Sequence, residues 1–289
     1  MLPLETVPNF SEGRDPATID AIGEAMSAHA RLLDVHADAD HNRSVFTLVG
    51  DGEALVEALA AGVEVARERI DLRRHEGVHP RIGAADVVPI VPVDPADMER
   101  ARVVAAKTAA RIGELGLPVF LYDPPLRGPA FYRRGGPEEL QRRVDAGELV
   151  PDFGPTQLDP SAGGVIVGAR RPLIAFNVNL RGELDVAREI AALVREVDGG
   201  FEGVRALGLD LPTAGLVQVS MNIENWEASP PHEVVSRIRR EAWLRGVEVT
   251  GCELVGLIPA GAVVVAAAPA LGVELDPSRV LELRLLAQP

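Results

Sequence analysis

Six histidines stand in a chain of 289 residues, at positions 29, 36, 41, 75, 79 and 232, and two of them fall in one segment, RRHEGVHPRIGAADVVP at residues 73–89. An imidazole is the side chain whose charge changes near neutral pH, so a histidine held in a loop is the first candidate for proton transfer. His79 is followed by Pro80, lies between Gly77 and Gly83, and has Arg81 and Asp86 close by in sequence. That setting suits a positioned acid–base group better than a packing residue. A metal reading of His75 and His79 with Glu76 requires a helix to bring residues four apart onto one face, and Gly77 and Pro80 oppose a helix; no metal is expected. His29, at the end of a helix, and His232, in the first turn of another, read as structural or solvated. Two further polar clusters carry donors and acceptors: Asp38, Asp40, His41, Asn42 and Arg43 in a strand-to-strand turn, and Asn9 and Ser11 after the first strand. No G-x-S-x-G elbow, P-loop or post-strand G-x-G-x-x-G is present, which removes the common nucleophile and nucleotide signatures.

The elements that must position these residues follow from periodicity. A strand over 3–9 leads to a helix opened by Asp15-Pro16, with Ile19, Ile22 and Met26 at helical spacing. Strands over 31–37 and 43–50 flank the polar stretch ADADHN. A helix follows with Leu55, Leu59, Val63, Ala66 and Ile70 on one face, and then an apolar strand over 85–91. A further helix opens at Asp94-Pro95, and VFLY at 119–122 reads as a strand. The Pro- and Gly-rich stretch from about 123 to 164 is too punctuated to be core throughout, and long connections of this kind often carry function.

The βαββαβ order appears again from residue 172, with strands through 180, near 203–209, 215–223 and 247–255 and helices near 182–196 and after Ser229-Pro230. The expected fold is α/β (α+β): two subdomains, 1–178 and 179–289, each a mainly antiparallel sheet with helices on one face, the second ferredoxin-like. In its first and third strands Asn177 and Asn179 oppose an apolar face, as do Gln218, Ser220 and Asn222. These strands are central neighbours in such a sheet, so their amides should lie side by side, facing either solvent or a cleft toward the first subdomain.

Composition bounds the partners. The net charge of −14 argues against nucleic acid and anionic membranes, since a phosphate backbone needs a basic footprint. No apolar run reaches the roughly 18 residues of a membrane span, and MLPLETVPNFSEGR lacks the basic start and apolar core of a signal peptide, so a cytoplasmic location is expected. The single cysteine, Cys252, excludes an internal disulfide. Of 29 basic residues only Lys107 is lysine, which disfavours Schiff-base chemistry and leaves arginine, a planar fork for carboxylates, as the cation.

Taken together, VPNFSEGR, DHNRSVFTLVG, GVHPRIGAADVVP, PDFGP, VGARRPLIAFNVNL and VQVSMNI, in this order across nearly the whole chain, resemble the formiminotransferase (formimidoyltransferase) family. In the two-part animal enzyme a cyclodeaminase follows, and the resemblance here is to the transferase half. It implies two α/β subdomains with the ligand site between them, a homodimer, and transfer of the formimino group of N-formimino-L-glutamate to tetrahydrofolate as co-substrate. It also implies His79 as the proton-transfer residue and Gly154, Pro155, Thr156, Gln157, Leu158, Asp159, Pro160, Ser161, Ala162 and Gly163 as the folate-binding loop. Asn9, Asp40, Asn42, Arg43, Arg81 and Arg170 are the expected polar residues for ligand carboxylates and orientation. Departures from the family pattern are Asp159, where many relatives carry histidine, GGVIVGAR over 163–170, and His36. They leave open a paralogue using another formimino or formyl donor, or a folate-binding protein without catalysis.

Overall fold

A computed structural model describes residues 2–122 and 127–271. Its first elements follow the local signals. β1 (Leu4–Thr6) and β2 (Asn9–Phe10) precede α1 (Pro16–Ser27), whose N-cap Asp15 accepts from the Ala17 amide with proline at the first helical position. β3 (Arg31–Asp38) and β4 (Arg43–Gly50) form a hairpin. α2 (Gly52–Arg69) is capped by Asp51 and buries Leu55, Leu59, Val63 and Ala66. β5 (Ala85–Pro92) follows, and Asp94-Pro95 opens a short 3-10 turn that leads into α3 (Met98–Glu114). β6 (Val119–Tyr122), α4 (Pro129–Arg133), α5 (Gly136–Asp145) and β7 (Val165–Ala169) complete this part.

The seven strands make one mixed sheet in the order β3-β4-β1/β2-β5-β7-β6, with β1 and β2 both lying between β4 and β5. The antiparallel part has the ferredoxin-like order, and β7 and β6 extend it by parallel pairing beyond β5. α1 to α3 cover one face over a core that includes Leu4, Phe10, Ile22, Leu48, Leu59, Val88, Ile90 and Val165. The stretch expected to be mostly irregular adds a second layer. Tyr132 of α4 and Leu140 and Val144 of α5 pack with Val87, Phe120, Tyr122 and Ile166, which by strand alternation point to the opposite face. β5 is therefore buried along its whole length.

The second unit repeats the pattern with β8 (Ile174–Arg181), α6 (Leu184–Val194), β9 (Val204–Leu211), β10 (Leu216–Ile223), α7 (Pro231–Leu244) and β11 (Glu248–Val255). Its sheet order is β11-β8-β10-β9, all antiparallel, with α8 (Ala260–Leu271) after the last strand. β8 and β10 are neighbours and place Asn179 opposite Gln218 and Asn177 opposite Ser220. The amides bond to their own face: Gln218 Nε2 donates to Asn179 Oδ1 at 2.9 Å, and Asn177 Nδ2 donates to Glu253 Oε2 at 2.9 Å. The two compact units comprise residues 1–171 and 172–289. The boundary expected at residue 178 thus falls inside β8, because the amide alternation that begins at Asn177 belongs to the first strand of the second sheet.

Candidate active site

The site is built where the β3–β4 turn, the segment after β2 and the loop 75–84 come together at the start of β5. Asn42 staples the first two to the third. It sits in the left-handed region at φ +46°, which asparagine tolerates better than most residues. Its Oδ1 accepts from the Gly13 amide at 2.9 Å and its Nδ2 donates to the Glu76 carbonyl at 2.9 Å. Gly77 is required by close approach, since a Cβ there would lie 2.5 Å from the His41 carbonyl oxygen. Arg81 fastens the same region: its guanidinium donates to the carbonyls of His41, Asn42 and His79 at 2.8–3.0 Å and contacts the His75 ring.

These bonds place His79 half-buried against Arg43 and His41. The His41 ring stacks with it at 6.0 Å between centroids. Arg43 is fixed on three sides, with Nε on Asn9 Oδ1 (2.9 Å), Nη2 on Asp86 Oδ2 (2.9 Å) and Nη1 on His79 Nδ1 (2.7 Å). Asp86 is fully buried; besides Arg43 its Oδ2 meets Arg133 Nη2 at 2.6 Å, and its Oδ1 accepts from the Ile82 amide at 2.9 Å. Burial would raise the Asp86 pKa, but Arg133, Arg43 and the Ile82 amide together hold it below the ordinary carboxylate value. Burial, followed by the Asp86 charge in opposition, leaves Arg43 lowered to about 10. Desolvation, then the charges of Arg43 and Arg133, pushes His79 well below the ordinary histidine value. The ring is therefore neutral at neutral pH.

The proton positions available to that ring define its chemistry. Nδ1 lies between a permanent donor, Arg43, and a permanent acceptor, the Pro80 carbonyl oxygen at 2.8 Å. With its lone pair toward Arg43, the ring carries its proton on Nε2 and can give it away. With its proton toward Pro80, Nε2 is bare and can take one. Nε2 has no hydrogen-bond partner among the described residues.

The candidate folate loop lies beside this one. Ala84 N donates to Ala162 O at 2.8 Å, Gly164 N to Ile82 O at 3.1 Å, and Gly83 and Gly163 form a bridge. Asp159 closes the loop on itself, its Oδ1 accepting from the Ser161 amide, the Ser161 hydroxyl and the Ala162 amide at 2.8–2.9 Å. Its departure from the family pattern thus has a local use, as a turn former whose carboxylate is already hydrogen-bonded. Leu158 is buried, and its amide donates to Gln141 Oε1 at 2.7 Å, which ties the loop to α5.

The structure therefore sorts the expected site residues. His79 and Arg43 are in direct contact, and Asn9 and Asn42 hold the frame around them. Asp40 contributes its carbonyl, which accepts from the Val78 amide at 3.2 Å. Arg81 donates to the backbone carbonyls of His41, Asn42 and His79. Arg170 does not join the cluster: it follows β7, and its amide bonds to Ile90 O toward the other end of β5 from Asp86. Asp86 enters the site as the shared counterion, and Arg133 was missed altogether. Its signal was indirect, a carboxylate at the start of an all-apolar strand that must be paired when buried. Among the described residues no group of three His, Cys, Asp or Glu side chains is placed to hold a metal ion.

Residues 3–170 match the N-terminal subdomain of the formiminotransferase domain, and residues 175–271 match the formiminotransferase domain model that follows it. The chain is 40% identical over 270 residues to a glutamate formimidoyltransferase of Streptococcus pyogenes serotype M1, covering 90% of each protein. It is 39% identical over 272 residues to that of Thermoplasma acidophilum, covering 90% of this chain and 89% of the relative. With the formimidoyltransferase-cyclodeaminase of Rattus norvegicus it shares 39% identity over 279 residues, 92% of this chain and 52% of the longer protein. Matched by both subdomain models over residues 3–170 and 175–271, and 40% identical to a relative covered over 90% of its length, the chain is a member of the formiminotransferase family.

Proposed function

We propose that the chain transfers the formimino group of N-formimino-L-glutamate to tetrahydrofolate, giving 5-formiminotetrahydrofolate and L-glutamate, with His79 as the proton-transfer residue. The observation that carries this reading is the half-buried, neutral His79 ring held at Nδ1 by Arg43 and Pro80 with Nε2 left for the reactants. The folate ring nitrogen attacks the formimino carbon, and the bond to the glutamate nitrogen breaks. One proton must leave the attacking nitrogen and one must reach the departing amine, because an amide anion is not a viable leaving group. In the tautomer with its Nδ1 proton toward Pro80, His79 Nε2 accepts the first and returns it as the second, so the reaction closes with no net proton change. The nearby arginine charge makes the imidazolium a strong acid, which favours the return step.

The loop 154–163 is the proposed seat of the folate, and Arg43 is the cation nearest the reacting atoms. Tetrahydrofolate is a substrate here, and no resident cofactor is invoked. The net charge of −14 disfavours a nucleic-acid partner. No helix among the described residues is long and apolar enough to cross a membrane. A cytoplasmic homodimer is the state in which we propose the enzyme works.

The test is a spectrophotometric assay with tetrahydrofolate and formiminoglutamate, following pterin absorbance. Wild-type protein should turn over, and His79→Ala should lose on the order of 100-fold or more in kcat while folate affinity, read by calorimetry, stays nearly intact. Folate binding without turnover in the wild type would reject formiminoglutamate as the donor. Unchanged turnover in His79→Ala would reject the role of the ring.

A further inference from the structure

Arg133 is the last residue of the five-residue α4, far along the chain from the histidine loop. Its place is set by its neighbour. Tyr132 is buried, packs against Phe120 at 5.5 Å and Phe131 at 5.2 Å between ring centroids, and donates its hydroxyl to the Leu121 carbonyl at 2.6 Å. Arg143 adds a second pin by donating to the Phe131 carbonyl at 2.9 Å. With Tyr132 so held, the next side chain reaches Asp86, where Arg133 Nη2 and Arg43 Nη2 meet the same oxygen, Oδ2, at 2.6 and 2.9 Å.

Arg133 differs in kind from Arg81. Every terminal nitrogen of Arg81 donates to a backbone carbonyl, as expected of a brace. Arg133 is largely buried, its side chain 15% exposed, yet neither its Nε nor its Nη2 makes a hydrogen bond of good geometry among the described residues. Its contact in the structure is the ion pair with Asp86, so its contribution there is charge. One carboxylate is thus divided between two guanidinium groups. Positive charge is left over, and it falls on the side where Arg43 Nη1 meets the His79 ring.

We propose that Arg133 is a positioning residue for the transfer: by sharing Asp86 with Arg43 it leaves positive charge beside the His79 ring and keeps the ring neutral, with a single proton, until the reacting nitrogen supplies a second. The proposal rests on His79 being the proton-transfer residue. The charged and titratable groups around that ring are Arg43 from β4, His41 from the preceding turn, Asp86 from β5, Arg133 from α4, and His75 and Arg81 from its own loop. Removing Arg133 cuts neither a backbone tie, as removing Arg81 would, nor the direct contact with His79, as removing Arg43 would. Its charge acts on the imidazole in the same sense as that of Arg43.

The experiment is a proton NMR titration of the histidine ring signals of the full-length protein, with the His79 signal assigned by its loss in His79→Asn. It is done for wild type, Arg133→Met and Arg133→Lys, alongside pH profiles of kcat/KM. The expected result is a His79 midpoint that rises by about half a pH unit or more in Arg133→Met and stays near wild type in Arg133→Lys, with the acid limb of the profile moving by the same amount. A midpoint that does not move in Arg133→Met, or moves equally in Arg133→Lys, overturns the proposal even where activity falls. Should Arg133→Met not fold, Arg133→Gln is read the same way, and failure of both to fold assigns Arg133 to the scaffold and also overturns it. Because the titration needs no substrate, it still decides the question if formiminoglutamate proves to be the wrong donor.

Discussion

At His79 the protein holds a titratable ring in a field of positive charge with a single buried carboxylate to answer it. Burial and the arginines act in the same direction, so the ring's pKa lies below its usual value of about 6.5. Since the transfer begins with a bare ring nitrogen, kcat/KM should stay level from neutral pH down past about 6.5 and fall only on the acid side of it. A fall centred above that value would show the ring to be normally basic. The same shift has a thermodynamic consequence. Below about pH 6.5 the unfolded chain takes up a proton that the folded ring resists, so stability declines as pH drops from there toward the lowered folded value. Asp86 adds a loss of the same sign at lower pH: its depressed carboxyl stabilises the fold fully above the unfolded value of about 3.9 and ceases to do so as pH falls through the folded value. Urea unfolding of wild type and His79→Asn at pH 7 and pH 5 separates the two contributions. Wild type should lose more stability over that interval than the variant, and equal losses would contradict the buried, neutral ring. His79 was legible in the sequence because glycine and proline announce a fixed loop. Its electrostatic surroundings were not, because Arg43, Asp86 and Arg133 come from three separate elements.

At the scale of elements, the histidine loop and the proposed folate loop behave as one unit of backbone. Gly163 has φ +70°, and a Cβ there would lie 2.0 Å from the Ile82 carbonyl oxygen, three residues after His79. Gly163→Ala must therefore both strain its own backbone, by about 1–2 kcal/mol, and push the two loops apart. The expected outcome is a raised KM for tetrahydrofolate by several-fold together with a lower kcat, since the displaced carbonyl adjoins the Asp86-bonded Ile82 amide that orders the site. Steady-state kinetics with each substrate varied in turn checks this, and a change confined to the formiminoglutamate KM would place the folate elsewhere. The strands and first three helices could be read from periodicity because each shows an apolar face at its own spacing. α4 and α5 could not. Their sequence, PAFYRRGGPEELQRRVD, is broken by Gly135 and Gly136, which both take positive φ. Their burial depends on β5, β6 and β7 presenting apolar residues on both faces, a tertiary fact. Arg133 sits at that break and was lost with it.

On the scale of the whole molecule, the chain uses the same strand order twice and carries the candidate site on one copy. His79, Arg43, Asp86, Arg133 and the loop 154–163 all belong to residues 1–171. The repetition was visible in the sequence through the recurring βαββαβ order, whereas the position of the break was not, because the strand pattern runs close to the boundary. The second unit has a core of its own: Ile174, Val178 and Leu180 of β8 pack with Ile190 and Val194 of α6 and Val234 and Ile238 of α7, all fully buried. Such a closed apolar layer is what an autonomous domain of this size requires. A fragment of residues 172–289 should therefore fold alone, with mixed helix and strand circular dichroism and a single cooperative thermal transition, and should show no transferase activity at any substrate concentration. Non-cooperative melting of the fragment would mean that the second sheet depends on the first for its stability. Turnover by the fragment would remove His79 from the mechanism.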